Sequence, residues 1–419
     1  MTKLAGQRSD YTFKYNAKLG RHGWLRLTPA YSVKLVQEIV AETPKDAFIL
    51  DPFSGTATTG LCAAEMGMNA HLCDINPFLI WFGNTKLFDF SGNKLNNLEE
   101  IFNQILKKFP TKIEKDNWTP NLHNIERWWC GHTLPIVAAL RTQIVEEVGE
   151  PSENPYSNLI WISFCRLIIE TSSAAFNHVS MSFKGGVTKF EVHQVQEIFN
   201  SIFENILASA RKTIRGKAKV NKIDSRNVEQ INNIRYAHVI TSPPYPNRMS
   251  YIRELRPYMY WTKFLDKASE AGELDWKAIG GTWGIATSRL KDWSPTDIDL
   301  PEILLQSCEK ILHSGDKNSE LMARYVHKYF YDMYLHFSSL PLLLENGARL
   351  DYIVGNSTFY GIHVASEKIY EKSLEMLGYT NITSTIVRKR NSKKELYEYC
   401  VSASWKRQRN LKTPTYNKP

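Results

Sequence analysis

Ala47-Phe-Ile-Leu-Asp51 runs directly into Pro52-Phe-Ser-Gly-Thr-Ala-Thr-Thr-Gly60, and the reading of this stretch decides the fold. The first five residues form an apolar run of strand length that ends on an acid. The loop that follows is made of small and turn-forming residues, and a helical stretch, Leu61-Cys-Ala-Ala-Glu-Met-Gly67, succeeds it. A second short strand, Asn69-Ala-His-Leu-Cys-Asp74, again closes on an acid. Strand, small-residue loop, helix, then strand with a terminal acid is the opening of a doubly wound parallel α/β sheet. Upstream, Tyr31 to Glu42 carries apolar residues at helical spacing, and a turn at Pro44-Lys45-Asp46 leads into the first strand.

Working outward, the character changes between about Lys86 and Lys219, where amphipathic runs such as LNNLEEIFNQILKKF predict a mainly helical region. Trp118, Trp128, Trp129, Trp161 and Phe164 within it point to a packed subdomain, since a linker needs no such residues. Near Val220 the α/β pattern resumes with a short segment around Asp224. AHVIT, a strand running into SPPY, follows. A long helical run from Glu320 precedes the strand ARLDYIVGNS, and the end of the chain reads as a helix and two strands, an antiparallel hairpin closing the sheet. The expected organisation is a core split between residues 1–90 and 216–405, a helical insertion at 91–215, and a polar tail at 406–419.

Composition narrows the function. With 43% hydrophobic and 23% charged residues in 419, the chain can bury a large core, which excludes wholesale disorder. No apolar run approaches the roughly 20 residues needed to span a bilayer. The N-terminal stretch MTKLAGQRSDYTFKYNAKLGRHG lacks the continuous apolar segment of a secretory signal, so a cytoplasmic protein is expected. Cys62, Cys73, Cys130, Cys165, Cys308 and Cys400 contain no C-x-x-C pair, so buried thiols are expected and no metal site. Lys and Arg outnumber Asp and Glu by 52 to 43, a net charge of +9 that suits a polyanionic partner without separating one from an ordinary basic protein.

Two elements carry the chemistry. In the first, Gly55 and its small neighbours let the backbone approach a ligand, and the next helix offers polarised N–H groups at its N-terminus. Asp74 lies about twenty residues on, where a strand-end acid accepts hydrogen bonds from ribose hydroxyls. The loop lacks the G-x-G-x-x-G of a dinucleotide dehydrogenase, and a glycine-bearing turn alone also occurs as a purely structural feature. The second element, Thr241-Ser-Pro-Pro-Tyr245, follows a buried strand and so sits at the carboxyl end of the sheet. Its prolines fix the backbone and donate no hydrogen bond, which leaves a turn rich in acceptors beside the ring of Tyr245. Acceptors that grip both protons of an exocyclic base amine localise its lone pair for attack on a methyl sulfonium. Tyr245 offers a stacking face for a base extruded from a duplex.

DPFSGTATTG, the strand-end Asp74 and TSPPY together resemble the amino-methyltransferases of restriction–modification systems. In that family D-P-F-x-G-[ST]-G-T-T binds S-adenosylmethionine and [DNS]-P-P-[YFW] is catalytic. The resemblance spans roughly residues 20–90 and 215–405, and Ala57 stands where the family has its central loop glycine. It implies an α/β fold, a doubly wound, mostly parallel seven-stranded Rossmann-like sheet of the S-adenosylmethionine-dependent methyltransferase type, with a helical insertion. Catalysis falls to Ser242, Pro243, Pro244 and Tyr245. The cofactor falls to Asp51, Pro52, Phe53, Ser54, Gly55, Thr56, Thr58 and Thr59, with Asp74 and Ile75 on the second strand. Gly23, Trp24, Thr28, Ser32 and Lys34 match an N-terminal cofactor motif, and Asp224 matches the acid that meets the cofactor's adenine edge. Gly355-Asn356-Ser357 is placed to line the base pocket. SPPY with Ser first is the usual form among cytosine 4-amino enzymes, whereas Asp first is usual for adenine 6-amino enzymes.

Beyond the turn, Asn247, Arg248, Tyr251, Arg253 and Arg256 combine guanidinium, amide and aromatic groups suited to double-stranded DNA, and Lys184 in KGGVTK is a further candidate. A cognate restriction endonuclease acting separately is the implied partner. The rival readings are an adenine 6-amino DNA enzyme, an RNA guanine-amine methyltransferase, and a nucleic-acid-binding protein with a non-catalytic core of the same fold.

Overall fold

The computed structural model describes residues 8–25, 31–90, 92–175, 182–183, 186, 188–231, 234–247, 249–281, 285–390 and 395–407. Seven strands make one sheet: β1 (Phe48–Asp51), β2 (Asn69–Asp74), β3 (Ala218–Lys222), β4 (Tyr236–Thr241), β5 (Leu344–Gly355), β6 (Thr380–Lys389) and β7 (Tyr397–Ser404). Their order is β3-β2-β1-β4-β5-β7-β6. The first five run parallel, and β7 lies antiparallel between β5 and β6. This is the doubly wound, mostly parallel sheet expected, the Rossmann-like arrangement of S-adenosylmethionine-dependent methyltransferases. Strand order reverses between β1 and β4, and open α/β sheets bind ligands in the crevice at that switch point, outside the carboxyl ends of the strands.

The central strands read as continuous apolar runs because helices cover both of their faces. In β1, Ile49, Leu50 and Asp51 have no exposed surface, and in β4 neither Val239 nor Ile240 has any. One face carries α1 (Val33–Ala41), α2 (Thr58–Glu65) and α3 (Pro77–Lys86). Asn76 caps α3 by accepting from the Phe78 N–H at 3.0 Å, and Pro77 follows at the first helical position, where its missing donor costs nothing.

The helical middle comprises α4 (Gly92–Lys108), α5 (Thr133–Val148), α6 (Pro155–Glu170) and α7 (Val192–Ala210). Helix α4 buries Leu95, Leu98, Phe102 and Ile105, one stripe at helical spacing, and Phe102 stacks on Phe203 of α7 at 3.7 Å. These helices share a single apolar cluster with Phe78 and Phe82 of α3 and with Leu255, Tyr258 and Met259 of α8 (Tyr251–Trp261). The middle region is thereby packed onto the helix that leaves the double-proline turn. Arg21 reinforces the joint. Buried in the interior, it donates to the carbonyls of Lys86 and Phe88 at the end of α3, and of Ala210 and Lys212 at the end of α7, at 2.6–3.0 Å. A cation there satisfies the orphan carbonyls of two helix ends at once.

The C-terminal half continues through α9 (Ala268–Lys277), α10 (Ile285–Asp292) and α11 (Glu302–Leu312) to α12 (Ser319–Ser339) and α13 (Ser366–Met376). The last two pack Tyr325, Tyr329, Phe337 and Tyr370 beneath β5 in a second apolar cluster. Among the described residues no helix is long and apolar enough to cross a membrane, and no group of three or more His, Cys, Asp or Glu has metal-binding geometry. The six cysteines are free thiols, four of them buried.

Candidate functional site

A side-chain hydrogen bond joins the two strand ends at the switch point. Asp51 ends β1 and Thr241 ends β4, and the Thr241 hydroxyl donates to Asp51 Oδ1 at 2.5 Å. The same oxygen accepts the Phe53 N–H at 3.0 Å, which turns the chain out of the strand. Asp51 is fully buried, and that burial raises its carboxyl to about 6. Its Oδ2 is buried with no hydrogen-bond partner among the described residues, and so is the hydroxyl of Ser54, three residues on.

The loop after β1 is pinned from three sides. The Ser54 N–H donates to the Cys73 carbonyl at 2.9 Å and the Gly55 N–H to Asp74 Oδ2 at 3.1 Å, so β2 shapes it from below. Lys86, the last residue of α3, is fully buried and donates to the Thr56 carbonyl at 2.6 Å. Desolvation brings that ammonium down to about 8. Ala57 adopts φ +57° and ψ +38°, the left-handed region where a side chain costs roughly 1–2 kcal/mol, and it does so fully buried. The position where the resembling family has glycine therefore keeps the glycine conformation and accepts a methyl group.

Asp74 is the acid the loop wraps around. Its two oxygens take the Gly55 N–H and, at 2.8 Å, the Asn76 N–H. Burial lifts this carboxyl to about 7, partly offset by those two backbone donors. On the far side, burial opposes ionisation of Asp224, but the Arg226 guanidinium, bound through 2.6 and 3.0 Å contacts, wins and holds it below the usual range. His336 braces this end between the Ser225 carbonyl and the Tyr352 hydroxyl, both at 2.6 Å, with its ring edge against Phe53.

The double-proline turn closes the other wall. Tyr329 of α12 donates to the Pro244 carbonyl at 2.6 Å, and its hydroxyl also meets that of Tyr370 at 2.7 Å. Tyr245 donates to Glu398 Oε1 of β7 at 2.7 Å, and the Ser242 hydroxyl lies 3.5 Å from the Tyr245 hydroxyl. Tyr329→Phe deletes one hydroxyl and leaves two buried groups short of a partner. It is expected to cost about 1–3 kcal/mol of stability, measured as a denaturant midpoint at constant slope. A loss under roughly 0.5 kcal/mol, the range of ordinary surface changes, would mean the turn does not depend on that bond.

One open cleft of about 930 Å3 joins these parts. Pro52, Phe53, Ser54, Gly55, Thr56, Thr58, Asp74, Ile75 and Asp224 line it, and so do Ser242 and Pro244. The structure thus brings the glycine-bearing loop and the double-proline turn to the same space. Asp51 and Thr59 lie beneath the lining, Thr59 being hydrogen-bonded to Tyr31. Ser32 does not reach the cleft: it is buried, its hydroxyl donates to the Asp10 carbonyl, and its neighbour Tyr31 lines the wall instead. Trp24 points into the helical layer, donating to Ser209, and Gly23 gives its carbonyl to Arg166. Thr28, Arg248 and Lys184 lie outside the described residues.

The other sequence candidates divide similarly. Pro243 is buried, and Tyr245 packs beside the cleft against β5 and β7. Tyr251, read from sequence as a DNA contact, lines the cleft with Ile252. Asn247 caps its own turn by accepting the Met249 N–H, and Arg253 stands on a helix that buries most of its residues. Asn356 spends its side chain on the Tyr397 N–H, tying β5 to β7. Sequence reasoning missed Tyr31, Lys86, Lys277, Ile279, Tyr329 and Glu398. Of these, Tyr31 alone carried a local signal, as an aromatic one residue from a chosen serine.

The residues present suit S-adenosylmethionine. Asp74 keeps free lone pairs for a ribose, the Ser54 hydroxyl is unpartnered, and Phe53, Ile75, Ile223 and Ile279 give an apolar slot of adenine character.

No protein-family model matches the chain. It is 23% identical over 438 aligned positions to the Type II methyltransferase M.BsoBI of Geobacillus stearothermophilus, an alignment covering 94% of this chain and 85% of that protein. The Type II methyltransferase M.AvaI, from Nostoc sp. and from Anabaena variabilis, is 22% identical over 419 positions, covering 91% of this chain and 83% of the relative. Among solved structures, the rRNA methyltransferase aviRa from Streptomyces viridochromogenes aligns over 90% of this chain and 86% of that one, with 10% identity and a TM-score of 0.29, too slight a likeness to support an argument.

Proposed function

We propose, from a chain related over nearly its whole length to Type II methyltransferases and folded as a Rossmann-like methyltransferase, that it transfers a methyl group from S-adenosylmethionine to an exocyclic base amine in double-stranded DNA. The 4-amino group of cytosine is the preferred target, and modification within a restriction–modification system is the role. The observation that carries this reading is the shared cleft: Ser242 and Pro244 line the same space as Gly55 and Asp74.

When bound, S-adenosylmethionine supplies an electrophilic methyl on a sulfonium. Asp74 and the backbone of Ser54–Thr56 hold the ribose and methionine portions, and Asp224 with Ile223 and Ile279 meets the adenine. Pro244 has committed its carbonyl to Tyr329, so the acceptors left for a substrate amine are the Ser242 hydroxyl and the carbonyls of Ser242 and Pro243. Their positions are fixed before substrate arrives, so the developing positive charge on nitrogen meets oriented dipoles with little reorganisation. Tyr245 receives the extruded base. The preference for cytosine rests on Ser in first place of the motif.

Two measurements test this. Purified protein is incubated with unmethylated genomic DNA and S-adenosylmethionine, the modified positions are mapped by single-molecule sequencing, and product nucleosides are identified by mass spectrometry. N4-methylcytosine is the expected product. N6-methyladenine would move the chain to the neighbouring specificity, and no DNA product with cofactor bound would favour RNA or a non-catalytic role.

The pH dependence of cofactor affinity is a second expectation. Asp74 sits at about 7 in the free protein, and its ionised form is the better acceptor for ribose hydroxyls. Binding therefore favours the carboxylate, and affinity should fall as pH drops from 8 towards 6. Stability runs the other way. Asp51 at about 6 and Asp74 at about 7 are both raised above the ordinary value of 3.8, so the stability they contribute to the free protein is full below pH 4 and lost as pH rises through 6–7. The thermal shift given by the cofactor should accordingly be larger at pH 8 than at pH 6. Asp74→Asn should flatten this difference, and a variant that kept it would place the titration elsewhere.

A further inference from the structure

We propose that Glu398 and Arg390 are positioning residues for Tyr245, committing one face of its ring to the protein so that the other face receives the target base. This deepens the base-extrusion reading above and rests on it.

Tyr245 follows two prolines in a loop at the end of β4, where the local chain offers its side chain only the 3.5 Å contact from the Ser242 hydroxyl. An aromatic group on such a loop is free to choose among staggered rotamers. Here three contacts remove that choice. The hydroxyl donates to Glu398 Oε1 at 2.7 Å, from a strand 153 residues further along the chain. The Arg390 guanidinium carbon sits over the ring, 5.0 Å from its centroid. The bare Cα of Gly355 lies alongside, since a Cβ there would come within 2.9 Å of the ring and 2.2 Å of the Arg390 guanidinium.

Each of these supports is itself supported. Glu398 is 4% exposed and takes two hydrogen bonds from Arg388, at 2.7 and 3.1 Å, so its charge is neutralised where it is buried. Arg390 donates to the Asn356 carbonyl at 2.9 Å, and its backbone N–H donates to the Leu396 carbonyl at 2.7 Å. Burial, and after it the neighbouring Glu398, push the Tyr245 phenol well above its usual range, so the hydroxyl stays protonated and remains the donor. The antiparallel β5-β7-β6 end of the sheet thus acquires a task beyond closing the fold. A planar heteroaromatic base stacking on the face opposite Arg390 would complete a sandwich of guanidinium, phenol and base, with the phenol held by a charged acceptor.

The test uses the full chain, S-adenosylhomocysteine, and a duplex bearing the mapped recognition site with 2-aminopurine at the target position, whose fluorescence rises when it leaves the stack; methylation is followed separately with S-adenosylmethionine on the same duplex carrying its natural target base. Tyr245→Phe removes only the hydroxyl, and Glu398→Ala removes its acceptor. Each should lower both the fluorescence rise and single-turnover methylation about tenfold, the worth of one hydrogen bond to a charged acceptor. The double variant should be no worse than the more affected single one, and cofactor affinity should stay within about twofold, as expected for a site that leaves Asp74 untouched. Arg390→Met should reduce the fluorescence rise without altering cofactor affinity. Glu398→Ala strands Arg388, so Tyr245→Phe serves as the variant whose folding is not in question. Multiplicative losses in the double variant, or full fluorescence from both Tyr245→Phe and Arg390→Met, would overturn the inference and leave the proposed function standing. A wild-type protein that methylates the site with no fluorescence rise would overturn both.

Discussion

Ser242→Ala is expected to lower single-turnover methylation about 100-fold, the scale seen when one preorganised polar group is removed from around developing charge, while S-adenosylmethionine affinity changes by less than about twofold. The asymmetry comes from where the serine sits. Its hydroxyl lines the cleft and its nearest polar neighbour is the Tyr245 hydroxyl at 3.5 Å, a weak contact that leaves it free to accept from an amine. The loop and the acid proposed to hold the cofactor make no use of it. The substitution keeps the backbone carbonyl and the rigid path through Pro243 and Pro244, so it isolates one acceptor. A loss confined to DNA affinity, with the methyl-transfer rate intact at saturation, would remove Ser242 from the reacting atoms and reduce SPPY to a structural turn.

How much of this was legible beforehand depends on the range of the signal. The loop from Asp51 to Gly60, the acid at Asp74 and the succession of strands and helices along the chain could be read because each is a local pattern. A strand covered on both faces must be an apolar run, and a chain leaving it towards a helix must turn through small residues. Even the left-handed Ala57 was marked, by its place in a motif that elsewhere has glycine. The supports of the site left no such trace. Lys86 reads as an ordinary lysine in the last turn of a helix, and only the folded chain shows its ammonium buried under Thr56. Tyr329 reaches back 85 residues to Pro244, and Glu398 reaches 153 to Tyr245. Helical periodicity predicts which face of α12 is buried. Which of its tyrosines meets a carbonyl is decided by the crossing of elements far apart in sequence. Ser32 and Tyr31 illustrate the opposite error. The resemblance pointed to the right segment, and the way the chain enters α1 puts the neighbouring side chain on the wall.

Asp74→Ala should produce the complementary defect, raising the dissociation constant of S-adenosylmethionine about 100-fold, or roughly 2.7 kcal/mol, as for the loss of one or two hydrogen bonds to a charged group. Methylation at saturating cofactor should stay within about threefold of wild type, since removing an interaction made equally in ground and transition states leaves turnover alone. The carboxylate does two things at once. It faces the cleft, and it holds the Gly55 and Asn76 amides that set the loop's path and the start of α3. Alanine therefore removes the proposed ribose acceptor and also releases two backbone donors. Part of the loss should come from a loosened loop, visible as faster amide exchange at Gly55 in the free protein. Asn at the same position keeps one acceptor and the volume, and should fall between wild type and alanine. A variant with unchanged cofactor affinity and slower turnover would reverse the roles of the two walls. The acid would then belong to the base, and the ribose would have to be sought at Asp224, the other strand-end carboxylate on the cleft.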